Sequence, residues 1–166
     1  MIKWNYCPNC AKQLITGKEG HPSCPDGHFT KYPNPVPGAV AAIRHNNEYL
    51  ITKRTRDPNK GEWVFPGGFI EYEESAEESL LREIEEETGL KNIRIKEYLG
   101  SFVNHYGDIA IGIVMGYLVE SEDRNVTLNE ENSEYQWLPL DQIPHLAFED
   151  CRATLETLRA RENPNS

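Results

Sequence analysis

Cationic residues are scarce in this 166-residue chain, where 17 Lys and Arg stand against 27 Asp and Glu, a formal net charge of −10 at pH 7. That balance argues against holding a phosphate backbone by charge alone, so nucleic acid is not an expected partner. A small polyphosphate bridged by metal ions stays open, because the charge of a metal inverts the local electrostatics. Long apolar runs are missing too: none approaches the roughly 18 residues that a membrane span needs. The opening MIKWNYCPNC lacks the apolar stretch of a secretory signal. The expectation is a soluble, cytoplasmic protein with no membrane partner. Internal repeats are absent. At 38% hydrophobic residues, the chain still has enough apolar material for one core.

Cysteine is limited to Cys7, Cys10, Cys24 and Cys151. Three of the four fall in the first 35 residues, a stretch rich in Pro and Gly and poor in apolar periodicity. Without a signal peptide, such clustering points to metal binding rather than to a disulfide framework. Cys7-x2-Cys10 followed by Cys24 and His28 gives two ligand pairs at a spacing that suits a tetrahedral structural Zn2+, with His21 as an alternative fourth ligand. A metal is the usual staple for a segment too small to have its own core. Residues 1–35 therefore read as a small zinc-ribbon-like module, 36–162 as the main domain and 163–166 as a frayed tail.

After the module, TKYPNPVPG reads as a linker. The runs AVAAIRH and EYLITKR form a hairpin turning at Asn46-Asn47. IRIKEYLGSF and AIGIVMGYLV read as strands separated by VNHYGD, the second nearly all apolar and therefore central. YQWLPL is a short strand, and AFEDCRATLETLRARE an amphipathic helix with Ala147, Cys151, Leu155 and Leu158 at helical spacing. Strands interleaved with two long helices predict an α/β sandwich with a mixed sheet.

What the chain has in excess is glutamate. Between Gly67 and Leu90 stand nine Glu and one cation, Arg82. Ser75 with Glu78 three residues on forms a capping box, and Gly89 supplies a stop, so a helix is predicted from Ser75. Ala76, Leu80, Leu81 and Ile84 then form its buried stripe, while Glu77, Glu78 and Glu85 face solvent. Glu83, Glu86 and Glu87 share another face, where like charges at i,i+3 and i,i+4 repel. A hard divalent cation, which takes oxygen ligands, cancels that repulsion. Arg82 is placed to hold carboxylates through its planar fork of donors. The Gly67-Gly68 turn could add a carbonyl ligand.

Gly68, five residues, Glu74, seven residues, and then Arg82-Glu83-Ile84-x-Glu86-Glu87-x-Gly89-Leu90 match the Nudix box at every defined position. The chain resembles the Nudix hydrolases from residue 38 to about 160. The resemblance implies a Nudix-type α/β/α sandwich preceded by the zinc ribbon, and Mg2+- or Mn2+-dependent hydrolysis of a nucleoside diphosphate linked to another group. It implies Glu83, Glu86, Glu87 and the Gly67 carbonyl as metal ligands, with Arg82 and Glu74 orienting them. Glu131 is implied as a further ligand or base, chosen from Glu130, Glu131 and Glu134 because E-N-S-E-Y-Q-W resembles an E-x-x-E-x-x-W pattern of some relatives.

The ribbon followed by Tyr-x-Asn-Pro resembles the branch acting on NADH, FAD or ADP-ribose. Two departures stand out. Gly27 occupies the last ligand position of the second knuckle, with His28 after it, and Ala11 replaces the usual Gly after the first. GSFVNHYGD replaces the SQPWPFPxS motif of NADH pyrophosphatases. Phe69, Tyr106 and Phe148 are the aromatic rings available to stack on a nucleobase, and His105 is a further polar candidate. A triphosphate-sanitising hydrolase, which WVFPGGFIE also resembles, and a non-catalytic nucleotide sensor are the alternatives. Relatives of this kind commonly dimerise, so a homodimer is among the expected states.

Overall fold

The computed structural model describes residues 4–106 and 110–162. The expected tail at 163–166, and Gly107 and Asp108 of the VNHYGD segment, lie outside the described residues. Two compact units divide the chain: residues 4–35 with Ala110, and residues 36–106 with 111–162.

The first unit is held by turns rather than by a core. Strands β1 (Ile15–Thr16) and β2 (Pro22–Ser23) form a two-stranded antiparallel ribbon. Cys7 and Cys24 are its only buried residues among those described. Each opens a tight knuckle: Ala11 N donates to Cys7 O at 2.9 Å and Gly27 N to Cys24 O at 3.0 Å. Both knuckles finish in the left-handed region, at Ala11 (φ 56°) and Gly27 (φ 77°). Gly takes that conformation without steric cost, whereas Ala does so at roughly 1–2 kcal/mol.

The second unit is a seven-stranded mixed sheet between two helices. Its strands are β3 (Val36–His45), β4 (Glu48–Arg54), β5 (Trp63–Val64), β6 (Gly67–Phe69), β7 (Ile93–Tyr106), β8 (Ala110–Ser121) and β9 (Asn132–Pro139). The order is β5-β4-β3-β8-β7, with β6 added to β3 and β9 to β4. β3 and β8 run parallel from Val36 opposite Gly112 to Arg44 opposite Glu120. Alternation along β3 feeds both layers. Ala39, Ala41 and Ile43 pack with Leu80 and Ile84 under helix α1 (Ala76–Thr88), whereas Val40 and Ala42 pack with Cys151, Leu155 and Leu158 under helix α2 (Glu149–Glu162). This is the α/β/α sandwich the strand and helix pattern predicts, and no described helix is long and apolar enough to cross a membrane.

Three local expectations need correction. The linker is shorter, because Val36, Pro37 and Gly38 already belong to β3. Pro37 is tolerated there since it only has to accept, and its carbonyl takes Ile70 N at 3.1 Å. VNHY is strand rather than loop, since β7 runs on to Tyr106. Leu81 is 39% exposed: the buried stripe of α1 passes instead through Ser79, Leu80, Ile84, Glu87 and Thr88. Glu77 is exposed as expected, and it also accepts from Tyr117 Oη at 2.7 Å.

Candidate functional site

Helix α1 starts where its capping box predicts. Ser75 Oγ accepts from Glu78 N at 3.2 Å, and Glu78 Oε2 accepts from Ser75 N at 2.9 Å. It stops at Gly89 (φ 70°), whose N–H donates to Glu85 O at 2.9 Å. With both ends fixed, Arg82 becomes the hub of the acidic face. Its Nε and Nη2 grip the two oxygens of Glu74 at 2.7 and 2.9 Å, and Nη1 reaches Glu83 Oε1 at 2.8 Å and Glu86 Oε2 at 3.2 Å. Nη2 also donates to Phe69 O at 3.2 Å, tying the helix to β6. The bidentate pair holds the Glu74 carboxyl well below its ordinary range, at about 2.

Glu83 and Glu87 behave in the opposite way. Burial pushes the Glu87 carboxyl up to about 8, although Gly67 N donates to its Oε2 at 3.3 Å. Burial also raises Glu83, against the pull of Arg82. Glu131 adds repulsion to both, so this side chain from the start of β9 faces the same carboxylates as α1. Glu83 and Glu87, which burial holds against ionisation, and the nearby Glu131 form a donor set made only of oxygens. That set fits a hard divalent cation. Glu86, more exposed, completes the face.

Two glycines let the pieces approach. β6 runs antiparallel to β3 with Gly68 opposite Ala39. A Cβ on Gly68 would stand 2.4 Å from the Glu83 carboxylate, and one on Gly67 (φ 150°) 2.3 Å from Ala39 O. Gly67 is thus brought to the cluster, and its N–H is the group that engages Glu87.

The three aromatic candidates come together as one wall. Phe69 meets Tyr106 edge-on with ring centroids 5.4 Å apart, and Tyr106 meets Phe148 at 5.8 Å. Phe69 leaves about half its surface exposed, so the wall has an open face. His105 is instead engaged with the start of α2, where its Nδ1 lies 2.8 Å from Glu149 Oε2. Of the alternatives to Glu131, Glu134 pairs with Lys53 Nζ at 2.9 Å.

Two functional candidates were not singled out from the sequence. Arg54 stacks over Phe148, with its guanidinium carbon 5.0 Å from the ring centroid. Its pKa is lowered by burial and next by Arg56, while Glu87 and Glu131 pull the other way. It therefore links the aromatic wall to the acidic cluster. Arg56 forms an ion pair with Glu131. The signal was present in ITKRTR, which concentrates three cations in an otherwise acidic chain.

In the first unit, the ligand atoms of Cys7, Cys10, Cys24 and His28 all lie within 4.8 Å of one another. That is the donor chemistry and compactness of a tetrahedral metal site. His21 is not in the group; its ring packs against Tyr32 at 5.3 Å. With Gly27 filling the left-handed turn, the next residue supplies the fourth donor.

The sequence model of the NUDIX domain matches residues 35–158. An ADP-ribose pyrophosphatase of Methanocaldococcus jannaschii is 32% identical over 134 residues, spanning 79% of this chain and 78% of that one. A protein of Haemophilus influenzae named NAD-capped RNA hydrolase NudC is 33% identical over 172 aligned positions, which span 93% of this chain but only 61% of the relative. Among solved structures, a Nudix hydrolase from Nitrosomonas europaea superposes with a TM-score of 0.79 at 24% identity, covering 96% of this chain and 92% of that one.

Proposed function

Because the chain belongs to the Nudix hydrolases, we propose that it cleaves the pyrophosphate bond of nucleoside diphosphate-X compounds of the FAD, ADP-ribose or NADH type. The observation that carries this reading is the adjacency of an oxygen-only acidic cluster and an aromatic wall, joined by Arg54. Glu83, Glu86, Glu87 and Glu131, with the Gly67 carbonyl, would hold Mg2+ or Mn2+. Bound there, the metal supplies charge neutralisation on the phosphates and a water acidic enough to attack phosphorus. Arg82 and Glu74 keep the carboxylates aimed, as partners behind metal ligands do. A carboxylate close to the metal, Glu86 or Glu131, would accept the proton of the attacking water. Phe69, Tyr106 and Phe148 offer the stacking surface for the base, and Arg54 takes the phosphates between base and metal. Residues 4–35 carry a structural Zn2+ on Cys7, Cys10, Cys24 and His28. Four protein donors leave that ion no open position for chemistry.

The test is a panel of FAD, ADP-ribose, NADH and nucleoside triphosphates, each with Mg2+ and with Mn2+, scored by product. Release of a nucleoside monophosphate plus X-phosphate is expected. Pyrophosphate release from triphosphates alone would replace this reading with the sanitising one, and binding without turnover would replace it with a sensor.

One consequence concerns Gly68. Changing Gly68→Ala forces the Glu83 carboxylate to move, and a displacement of about 1 Å near reacting groups costs on the order of 10²-fold in rate. A fall of that size in kcat is expected with little change in the thermal melt. Activity within twofold of the wild type would detach Glu83 from catalysis.

A further inference from the structure

Three guanidinium groups stand against the acidic face, and they are held in different ways. Arg82 places its donors on Glu74, Glu83, Glu86 and the Phe69 carbonyl, with only 24% of its side chain exposed. Arg54 is stacked on Phe148, and its Nε donates to Pro58 O at 2.9 Å. Arg56 has a single side-chain partner among the described residues, Glu131, and 61% of its side chain is exposed.

The backbone around Arg56 is fixed independently of that ion pair. Thr55 N donates to Glu131 O at 2.9 Å, and Thr55 Oγ1 to Glu130 O at 2.7 Å. At the far end of the loop, Gly61 N donates to Arg54 O at 2.9 Å and Arg54 N to Glu62 O at 3.0 Å. The root of Arg56 is therefore pinned beside Glu131, while its guanidinium is free to swing.

Glu131 is an unusual partner for a surface arginine. It faces Glu83 and Glu87, and it belongs to the set of oxygen donors that suits a hard cation. Two cations thus have a claim on one carboxylate. Arg56 cannot give way by losing its proton, because a guanidinium stays charged at any ordinary pH. It gives way only by moving, and an exposed ion pair is easily broken. Off Glu131, it stands two residues from Arg54, which it repels. An anion taken up between the two guanidinium groups relieves that repulsion, and both are forks of donors suited to phosphate. We propose that Arg56 guards Glu131: it yields the carboxylate to the divalent cation and turns to a phosphate of the substrate beside Arg54. This inference rests on Glu131 being a metal ligand, as under the proposed function. Metal and nucleotide then tighten each other's binding, since coupling between two sites is reciprocal.

Titration with Mn2+, read from the paramagnetic resonance of the free ion, tests the first half on the full chain without nucleotide. Arg56→Ala is expected to bind Mn2+ about three- to fivefold more tightly than the wild type, the range that loss of an exposed ion pair allows. Lys60→Ala, which removes a cation from the same loop, should leave the affinity unchanged. Glu131→Gln alone should weaken Mn2+ binding, and adding Arg56→Ala to it should change nothing more. The second half is read by calorimetry with ADP at saturating Mg2+. Arg56→Ala should weaken ADP by about tenfold, the loss of a charge-assisted bond, and Arg56→Lys should recover most of it. Wild-type Mn2+ affinity in Arg56→Ala, an equal gain from Lys60→Ala, or a gain that persists with Glu131→Gln would overturn the guarding role. ADP that binds Arg56→Ala as it binds the wild type, or that the wild type does not bind, would overturn the turn to phosphate. Glu131→Gln with undiminished Mn2+ affinity has a separate meaning: it removes Glu131 from the metal site of the proposed function, and this inference falls with it.

Discussion

Glu86→Gln is expected to lower kcat by about 10³-fold or more with saturating Mg2+, while the melting temperature stays within a degree or two of the wild type. The size follows from removing a charged oxygen at the point where phosphate charge must be balanced, an effect typically worth 10²–10³ in rate or beyond. Stability should be spared because the side chain is more than half exposed and its contact with Arg82 Nη1 is long, at 3.2 Å. Exposed ion pairs of this kind contribute about 0–1 kcal/mol. The control is Glu85→Gln, one residue away on the same helix, whose carboxylate pairs with Lys91 at 3.0 Å in solvent. That variant should turn over normally. A Glu86→Gln enzyme within tenfold of the wild type would remove this residue from the metal face and leave Glu83, Glu87 and Glu131 to carry it.

Removing metal from the first unit should have an equally large effect of a different kind. Among residues 4–35 only Cys7 and Cys24 are buried, and both belong to the proposed zinc site. No apolar core remains once the ion leaves, and in such small domains the binding energy of the ion is the folding energy. Treatment with a strong chelator is expected to collapse the amide dispersion of this unit in a proton–nitrogen spectrum and to expose three thiols to a colorimetric reagent. Cys151 should stay unreactive, because it is buried on the sheet-facing side of α2 and burial holds its thiol far from ionisation. Metal analysis should return one zinc per chain before treatment. Three thiols that react freely in the untreated protein would contradict the site.

The acidic helix was legible because its information is local. Capping box, stop glycine and carboxylate spacing all lie within one segment, and the observed caps fall on Ser75 and Gly89. The two layers of the sandwich were legible for the same reason, from apolar periods within strands and helices. What escaped depends on partners distant in sequence. Arg54 and Arg56 acquire their meaning only when β4 pairs with β9 and brings Arg54 opposite Asn132, next to Glu131. The aromatic wall likewise draws on three elements far apart along the chain, so its rings could be named singly but not as a set. VNHY read as loop because His and Asn break the apolar run, yet Asn104 is buried and its Oδ1 accepts Glu149 N at 3.1 Å, so α2 pulls the strand onward. Leu81 was misplaced by periodicity alone, which counts apolar residues without knowing which arc of the helix the sheet covers.

Leu99 and Phe102, three residues apart, both pack toward α2 because one extra residue is absorbed at Gly100 (φ 135°), so the length of β7 is as much a part of its code as its composition. Deleting a single residue there would restore even alternation and turn one half of the strand over relative to the other. If the N-terminal half kept its place, Phe102 and Asn104 would trade the α2 layer for the opposite face, and the start of α2 would lose the side chain that receives Glu149 N. Substitutions across this strand can be absorbed one by one, but a change in residue number cannot. Drift in this part of the chain is therefore confined to spelling, with the count held fixed.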